Sequence, residues 1–158
     1  MLYESIDTAA INADDLPWVP FAPYNNDVLI KYIKCDPVRG EVITLLKAPA
    51  SMTLPKHHHS GTVIVYTIKG GWKYLEHDWI STEGGVVFET AATSHTPIGL
   101  PEHGDEVITF NVTLGDLMYM DENDNIVAIE NWKTSVQRYL AYCEANDIQP
   151  KDITSFSV

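Results

Sequence analysis

The sequence predicts an all-β fold with one C-terminal helix, and three observations carry that reading. Between residues 27 and 129, short runs rich in Val, Ile, Thr and Tyr recur between Gly, Pro, Asp and Asn turn signals. No helical pattern long enough for a parallel-strand crossover lies between these runs, which argues for a sandwich or barrel rather than βαβ units. After residue 130 the period changes. Val136, Tyr139, Leu140 and Cys143 recur at i, i+3, i+4 and i+7, one apolar stripe of a helix.

Each segment follows in order. Residues 1–26 read as an irregular arm, because Pro17, Pro20 and Pro23 interrupt LPWVPFAPYNN and proline removes a backbone donor. The apolar residues between them (Leu16, Trp18, Val19, Phe21, Tyr24) suit an arm packed on the barrel. Residues 27–130 form the expected barrel. DVLIKYIKC (27–35) and GEVITLLKA (40–48) flank the turn DPVRG. GTVIVYTIK (61–69) ends at Gly70-Gly71, WKYLEHDWI (72–80) ends at STEGG, and GVVFE (85–89), residues 94–99 and EVITFNVTL (106–114) follow. DLMYM and NIVAI bracket DENDN as a hairpin. Residues 131–158 supply the helix, which Asn131 can cap, and a tail. All three segments make one domain.

Composition narrows the function. The chain has 158 residues, 45% of them hydrophobic, enough for a real core. Ten Lys and Arg against 22 Asp and Glu give a net charge of −12. Phosphate contacts need clustered basic side chains, so nucleic acid and anionic membranes are not expected partners. No apolar stretch is long enough to span a bilayer, and the first residues lack a secretory leader pattern. A cytoplasmic location is expected. Cys35 and Cys143 are far apart, with no CxxC, which suggests neither a disulfide framework nor a thiolate zinc site.

The most informative segment is PKHHHSGTVIVYTIKGGW. A side-chain period of two places His57 and His59 on one face of an extended segment and His58 on the other. Two imidazoles at i and i+2 can hold one metal ion, and His95, in FETAATSHTPIG, is the candidate third ligand. Neutral imidazole suits iron, zinc, copper and nickel, and three protein ligands leave positions open for chemistry. Glu76 in WKYLEHDW is the first choice for a carboxylate that joins or orients the site. In a regular strand His77 points to the opposite face. Glu89, six residues before His95, is the second choice. Trp72, Tyr74 and Phe110 are the aromatic residues suited to lining a substrate pocket.

His57-x-His59, then Gly70-Gly71, then Gly84 and His95 resemble the two motifs of the cupin superfamily, small β-barrels that hold a metal on internal histidines. Val63 or Ile64 stands where the first motif has its glutamate ligand, and Thr90 and Ala92 replace the proline and glycine of the second. The strings LPWVPF, LPKHHHSGTVIVYTIKGGWKYLEHDW, GGVVFETAATSH and DLMYMDENDNIV are similar to the 2,4'-dihydroxyacetophenone dioxygenase branch and, more loosely, to acetylacetone dioxygenase, over roughly residues 16–145. The resemblance implies a cupin-type double-stranded β-helix. It also implies a non-heme Fe(II) held by His57, His59 and His95, and use of O2 to cleave a carbon–carbon bond of a small ketone, diketone or hydroxyketone. A homodimer is the assembly it implies. Zinc or another divalent metal in the same histidines is the alternative, giving an isomerase or cyclase, or a non-catalytic metal or ligand sensor.

Two weaker motifs are set aside. Asp121, Asn123 and Asn125 begin like a calcium loop, but Ile126 replaces its glycine and Trp132 its closing glutamate. Asn111-Val112-Thr113 fits a glycosylation sequon without a leader to deliver it to that machinery.

Overall fold

A computed structural model describes residues 10–154. Thirteen strands and one α-helix are assigned among them. A six-stranded sheet has the order β1-β2-β3-β11-β5-β8. Its strands are β1 (Val19–Phe21), β2 (Asn25–Asp36), β3 (Glu41–Pro49), β11 (Glu106–Leu114), β5 (Val63–Lys69) and β8 (Val86–Glu89). A four-stranded sheet, β13-β12-β4-β9, joins Ile126–Glu130, Leu117–Met120, His57–His59 and Ser94–His95. A three-stranded sheet, β10-β6-β7, joins Pro97–Gly99, Gly71–Tyr74 and Ser81–Thr82. Every pairing is antiparallel. The all-β barrel with one C-terminal helix read from the sequence is the fold observed.

The arm is more regular than its prolines suggest. Val19–Phe21 form β1 at the free edge of the large sheet, the place where Pro20 costs no ladder bond. The segment before it covers the outside of β2 and β3. Lys31 Nζ donates to Ala13 O at 2.7 Å, and the ammonium groups of Lys31 and Lys47 sit over the Trp18 ring. Residues 1–9 of the expected arm and 155–158 of the expected tail lie outside the described residues.

The core has two parts. The larger runs from Leu16, Val19 and Phe21 through Val28, Ile30 and Tyr32 to Met52, Leu54, Tyr119 and Tyr139. The smaller gathers Val63, Val65, Trp72, Tyr74 and Val107. Between β5 and β6 the chain turns at Gly70, whose φ is +79°. A Cβ there would meet Glu106 O at 2.2 Å, so a side chain at this turn would force the sheet apart.

The helix α1 (Trp132–Ala145) starts at Asn131, whose side chain accepts from the Lys133 and Thr134 N–H groups while Thr134 Oγ1 accepts from the Asn131 N–H. Its buried line is Ser135, Tyr139 and Cys143, with Val136 partly buried. Leu140, expected on the buried stripe, is 45% exposed. The barrel touches a narrower arc of the helix than four apolar positions imply. Cys35 and Cys143 are both free and buried.

Candidate metal centre

Strand β4 lies between β12 and β9. His57 faces His95 across β9 and Tyr119 across β12, and His59 faces Leu117. The period of two then turns His57 and His59 into the barrel, where they are 6% and 3% exposed. His58 points away and meets Ser94 Oγ at 2.8 Å. His95 is buried beside its partners. One ring nitrogen from each of His57, His59 and His95 lies within 4.8 Å of the other two, a separation that one ion can bridge.

The protonation pattern suits a cation. His57 Nδ1 lies 3.1 Å from Pro55 O, so Nδ1–H donates outward and the Nε2 lone pair faces the cluster. Burial, then the neighbouring His59, pushes the His57 ring down to about 3, which keeps it neutral. Both ring nitrogens of His59 are buried without a directed hydrogen bond. Its Nε2 does come within 2.8 Å of Glu89 Oε2, but off the line that a hydrogen bond needs. A buried orphan nitrogen is costly unless something uses its lone pair. The residues present therefore fit a divalent metal.

Glu89 is the carboxylate that meets the histidines. It ends β8 on the opposite sheet, in register with Val63, and reaches across the barrel. Its Oε2 lies 3.0 Å from His95 Nε2, and Tyr74 Oη donates to its Oε1. Burial alone would raise the Glu89 carboxyl. The contacts with His59, His95 and Tyr74 outweigh burial and hold it well below the usual carboxylate range. Tyr74 also stacks on His95, with ring centroids 3.8 Å apart and planes 11° from parallel. Burial, then the Glu89 charge, pushes its hydroxyl far up. Trp72 stands edge-on to Tyr74 and is fixed by Nε1–H donation to Thr67 Oγ1 at 2.8 Å.

Glu76 sits elsewhere. Strand β6 stops at Tyr74, and Glu76 occupies the exposed turn beyond it. There it accepts from the Thr96 N–H at 2.9 Å and the Thr96 hydroxyl at 3.0 Å. It anchors the residue after His95 and does not touch the rings. His77 is exposed and stacks on Trp79. Phe110 lies on the outer face of β11, paired with Tyr66 and Leu45, because its neighbours Thr109 and Asn111 take the inward positions.

His57, His59 and Glu89 open on a cavity of about 150 Å³ inside the barrel. Its wall is largely apolar, with Val42, Leu46, Val63, Val65, Trp72 and Tyr74 among its members. The sequon residue Asn111 also lines it and is thus turned inward. At the helix end, Arg138 binds Glu130, with Nη1 2.9 Å from Oε2, and Tyr24 Oη donates to Glu130 at 3.0 Å. No local pattern encodes this polar knot, since Tyr24 and Glu130 lie 106 residues apart.

The ChrR cupin-like domain family matches residues 7–117, well over half of the chain. An RmlC-like cupin protein from Ralstonia eutropha shares 60% identity over 99% of both chains, with a TM-score of 0.95. An acetylacetone dioxygenase from Acinetobacter johnsonii has a TM-score of 0.73 at 17% identity, covering 85% of this chain and 91% of its own. The anti-sigma factor ChrR of Rhodobacter sphaeroides, in complex with SigE, has a TM-score of 0.52 at 18% identity, covering 65% of this chain and 51% of that one. No curated protein matches the chain. At these low identities the last two likenesses concern the fold. The family match is what classifies the chain: it belongs to the ChrR cupin-like family.

Proposed function

We propose that the protein is a non-heme Fe(II)-dependent dioxygenase that uses O2 to cleave a carbon–carbon bond of a small ketone, diketone or hydroxyketone. The observation that carries this reading is the convergence of ring nitrogens from three buried histidines, two of which line a largely apolar cavity. His57, His59 and His95 would hold the ion, and Glu89 sets one negative charge beside it. Once bound, the ion supplies Lewis-acid activation of a ketone oxygen and, as Fe(II), the electrons for O2 chemistry.

The chain's own residues do the rest. Pro55 O fixes the His57 tautomer, and the Tyr74 ring restrains His95. Glu89, tied by Tyr74, holds His95 through its Oε2 and sets its charge beside His59. The apolar wall excludes water, which strengthens the attraction between a cation and an enolate oxygen. The dioxygenase of similar fold from Acinetobacter johnsonii supports the reading.

A second reading, a non-catalytic metal or ligand sensor, draws support from the ChrR match, since the ChrR structure is that of an anti-sigma factor bound to SigE. Metal analysis of protein purified without added metal, followed by oxygen-electrode assays with acetylacetone and 2-hydroxyacetophenone, separates the two. The dioxygenase reading expects O2 uptake in the Fe(II)-loaded protein. It also expects His59→Ala and His95→Ala to lose both metal and turnover. Normal metal retention by His95→Ala would show that the third ligand is misassigned. Zinc content with no O2 uptake after Fe(II) loading would favour the second reading.

A further inference from the structure

Strand β11 carries an unusual inward row. Behind Val107 its inward residues are Thr109, Asn111 and Thr113, all lining the cavity. Thr44 of β3, paired with Asn111 in register, lines it as well. Three polar residues in succession on the inner face of a central strand run against the alternation that builds an apolar core.

These groups hold each other only loosely. Thr109 Oγ1 donates to Asn111 Oδ1 at 3.2 Å. Asn111 Nδ2 reaches Thr44 Oγ1 at 3.5 Å and Thr109 O at 3.4 Å. Amide donors prefer about 2.7–3.2 Å, so both donor contacts are slack. The Thr44 hydroxyl proton has no acceptor among the described residues. The Asn111 amide, held only by long contacts, and the Thr44 hydroxyl thus both face the chamber, whose wall is largely apolar on this side of the histidines.

Their place relative to the histidines is set by the sheet. Asn111 pairs with Val65, and Val65 with Val87. Glu89 is two residues further along β8. The Asn111 backbone is therefore about 10 Å across and about 7 Å along the sheet from that of Glu89. An engineered protein cavity of about 150 Å³ admits benzene, so a six-membered ring with short substituents matches this chamber in scale.

We infer that Asn111 and Thr44 form a subsite that donates hydrogen bonds to an oxygen at the far end of a substrate whose ketone end lies at the histidines. The ligand class is a compact ketone with a distal hydroxyl or carbonyl oxygen. This inference rests on the ketone reading above, and deepens it. Asn111 and Thr44 are positioning residues: they select and orient the ligand and leave the metal ligands untouched.

The test compares 4'-hydroxyacetophenone with 4'-methylacetophenone by calorimetry on the Zn(II)-loaded full chain, in which no O2 chemistry proceeds. The wild type is expected to bind the hydroxyl probe about tenfold more tightly, the scale of one neutral hydrogen bond. Asn111→Leu should bring that ratio close to one with metal content unchanged. Thr44→Val, a change of a single hydroxyl, should lower the ratio by a smaller factor, and it serves as the readout if Asn111→Leu does not fold. A wild-type ratio near one, or a ratio retained in both variants, overturns the subsite, and so does failure of both probes to bind. A retained preference with no O2 uptake in the Fe(II) form upholds the subsite and overturns only the dioxygenase reading.

Discussion

His59 shows how one side chain reports on chemistry. It is 3% exposed, and neither ring nitrogen has a directed partner. A structural histidine in a core would be expected to satisfy at least one of them. Its inward placement, with His57, follows from parity alone, which is why the HHH run was legible in the sequence. The carboxylate was not legible in the same way. Glu76 was favoured on the premise that WKYLEHDW is one strand, and that strand ends at Tyr74. Glu89 shares the inward parity of Val63 and Val65 only through the β5–β8 register, which no local pattern encodes. The two residues are separable by experiment. Partners of ligand histidines are typically worth 10–100-fold in metal affinity, so Glu89→Gln should weaken binding on that scale in a competitive chelator titration. Glu76→Gln should shift it less than about twofold, because its bonds go to Thr96. Equal effects would mean that Glu89 plays no special part at the site.

At the scale of elements, the long strands were readable and the short ones were not. Strand β11 spans the residues expected from its alternation, since all nine of its positions pair with β3 and six of them, Ile108 to Thr113, pair with β5 as well. The run 94–99 instead divides at Thr96, with β9 pairing β4 and β10 pairing β6. Neighbours distant in sequence decide that split. Two ends of elements carry measurable energy. Asn131 caps α1 with both arms of a capping box, and Asn131→Ala should cost about 1 kcal/mol in urea unfolding. At the β2–β3 turn, Asp36 Oδ1 accepts from the Val38 N–H at 2.8 Å and the Arg39 N–H at 3.0 Å. Burial would raise the Asp36 carboxyl, but these bonds and Lys34 outweigh it and hold it below its ordinary 3.8. A lowered folded-state value stabilises the protein above the unfolded-state value and is lost as pH falls through the folded one. Asp36→Ala should therefore be less stable than wild type near pH 6, and the gap should narrow as pH falls below 3.8. A gap in melting temperature that stayed constant over that range would mean that the charge of Asp36 contributes nothing.

For the molecule as a whole, Arg138 is the junction to probe. From α1 its Nε donates to Ala22 O of the arm at 2.9 Å, and its Nη1 to Tyr32 Oη of β2 and to Glu130 Oε2 of β13, both at 2.9 Å. Its guanidinium also lies over the rings of Phe21 and Tyr24. Arm, barrel and helix thus meet on one planar cation, whose fork geometry a lysine cannot reproduce. The Glu130 side chain is 8% exposed, so removing Arg138 strands a charge away from water. Loss of one member of such a pair costs about 3–5 kcal/mol. Arg138→Met should accordingly lower the melting temperature by roughly 6–20 °C for a chain of this size. The transition should remain single, because arm, barrel and helix all contribute side chains to the larger core. The double variant Arg138→Met, Glu130→Leu should recover much of the loss, since it removes the stranded charge along with its partner. A double variant as unstable as the sum of the two single changes would show that the contacts to Ala22, Tyr32 and the two rings, and not the ion pair, join arm to helix.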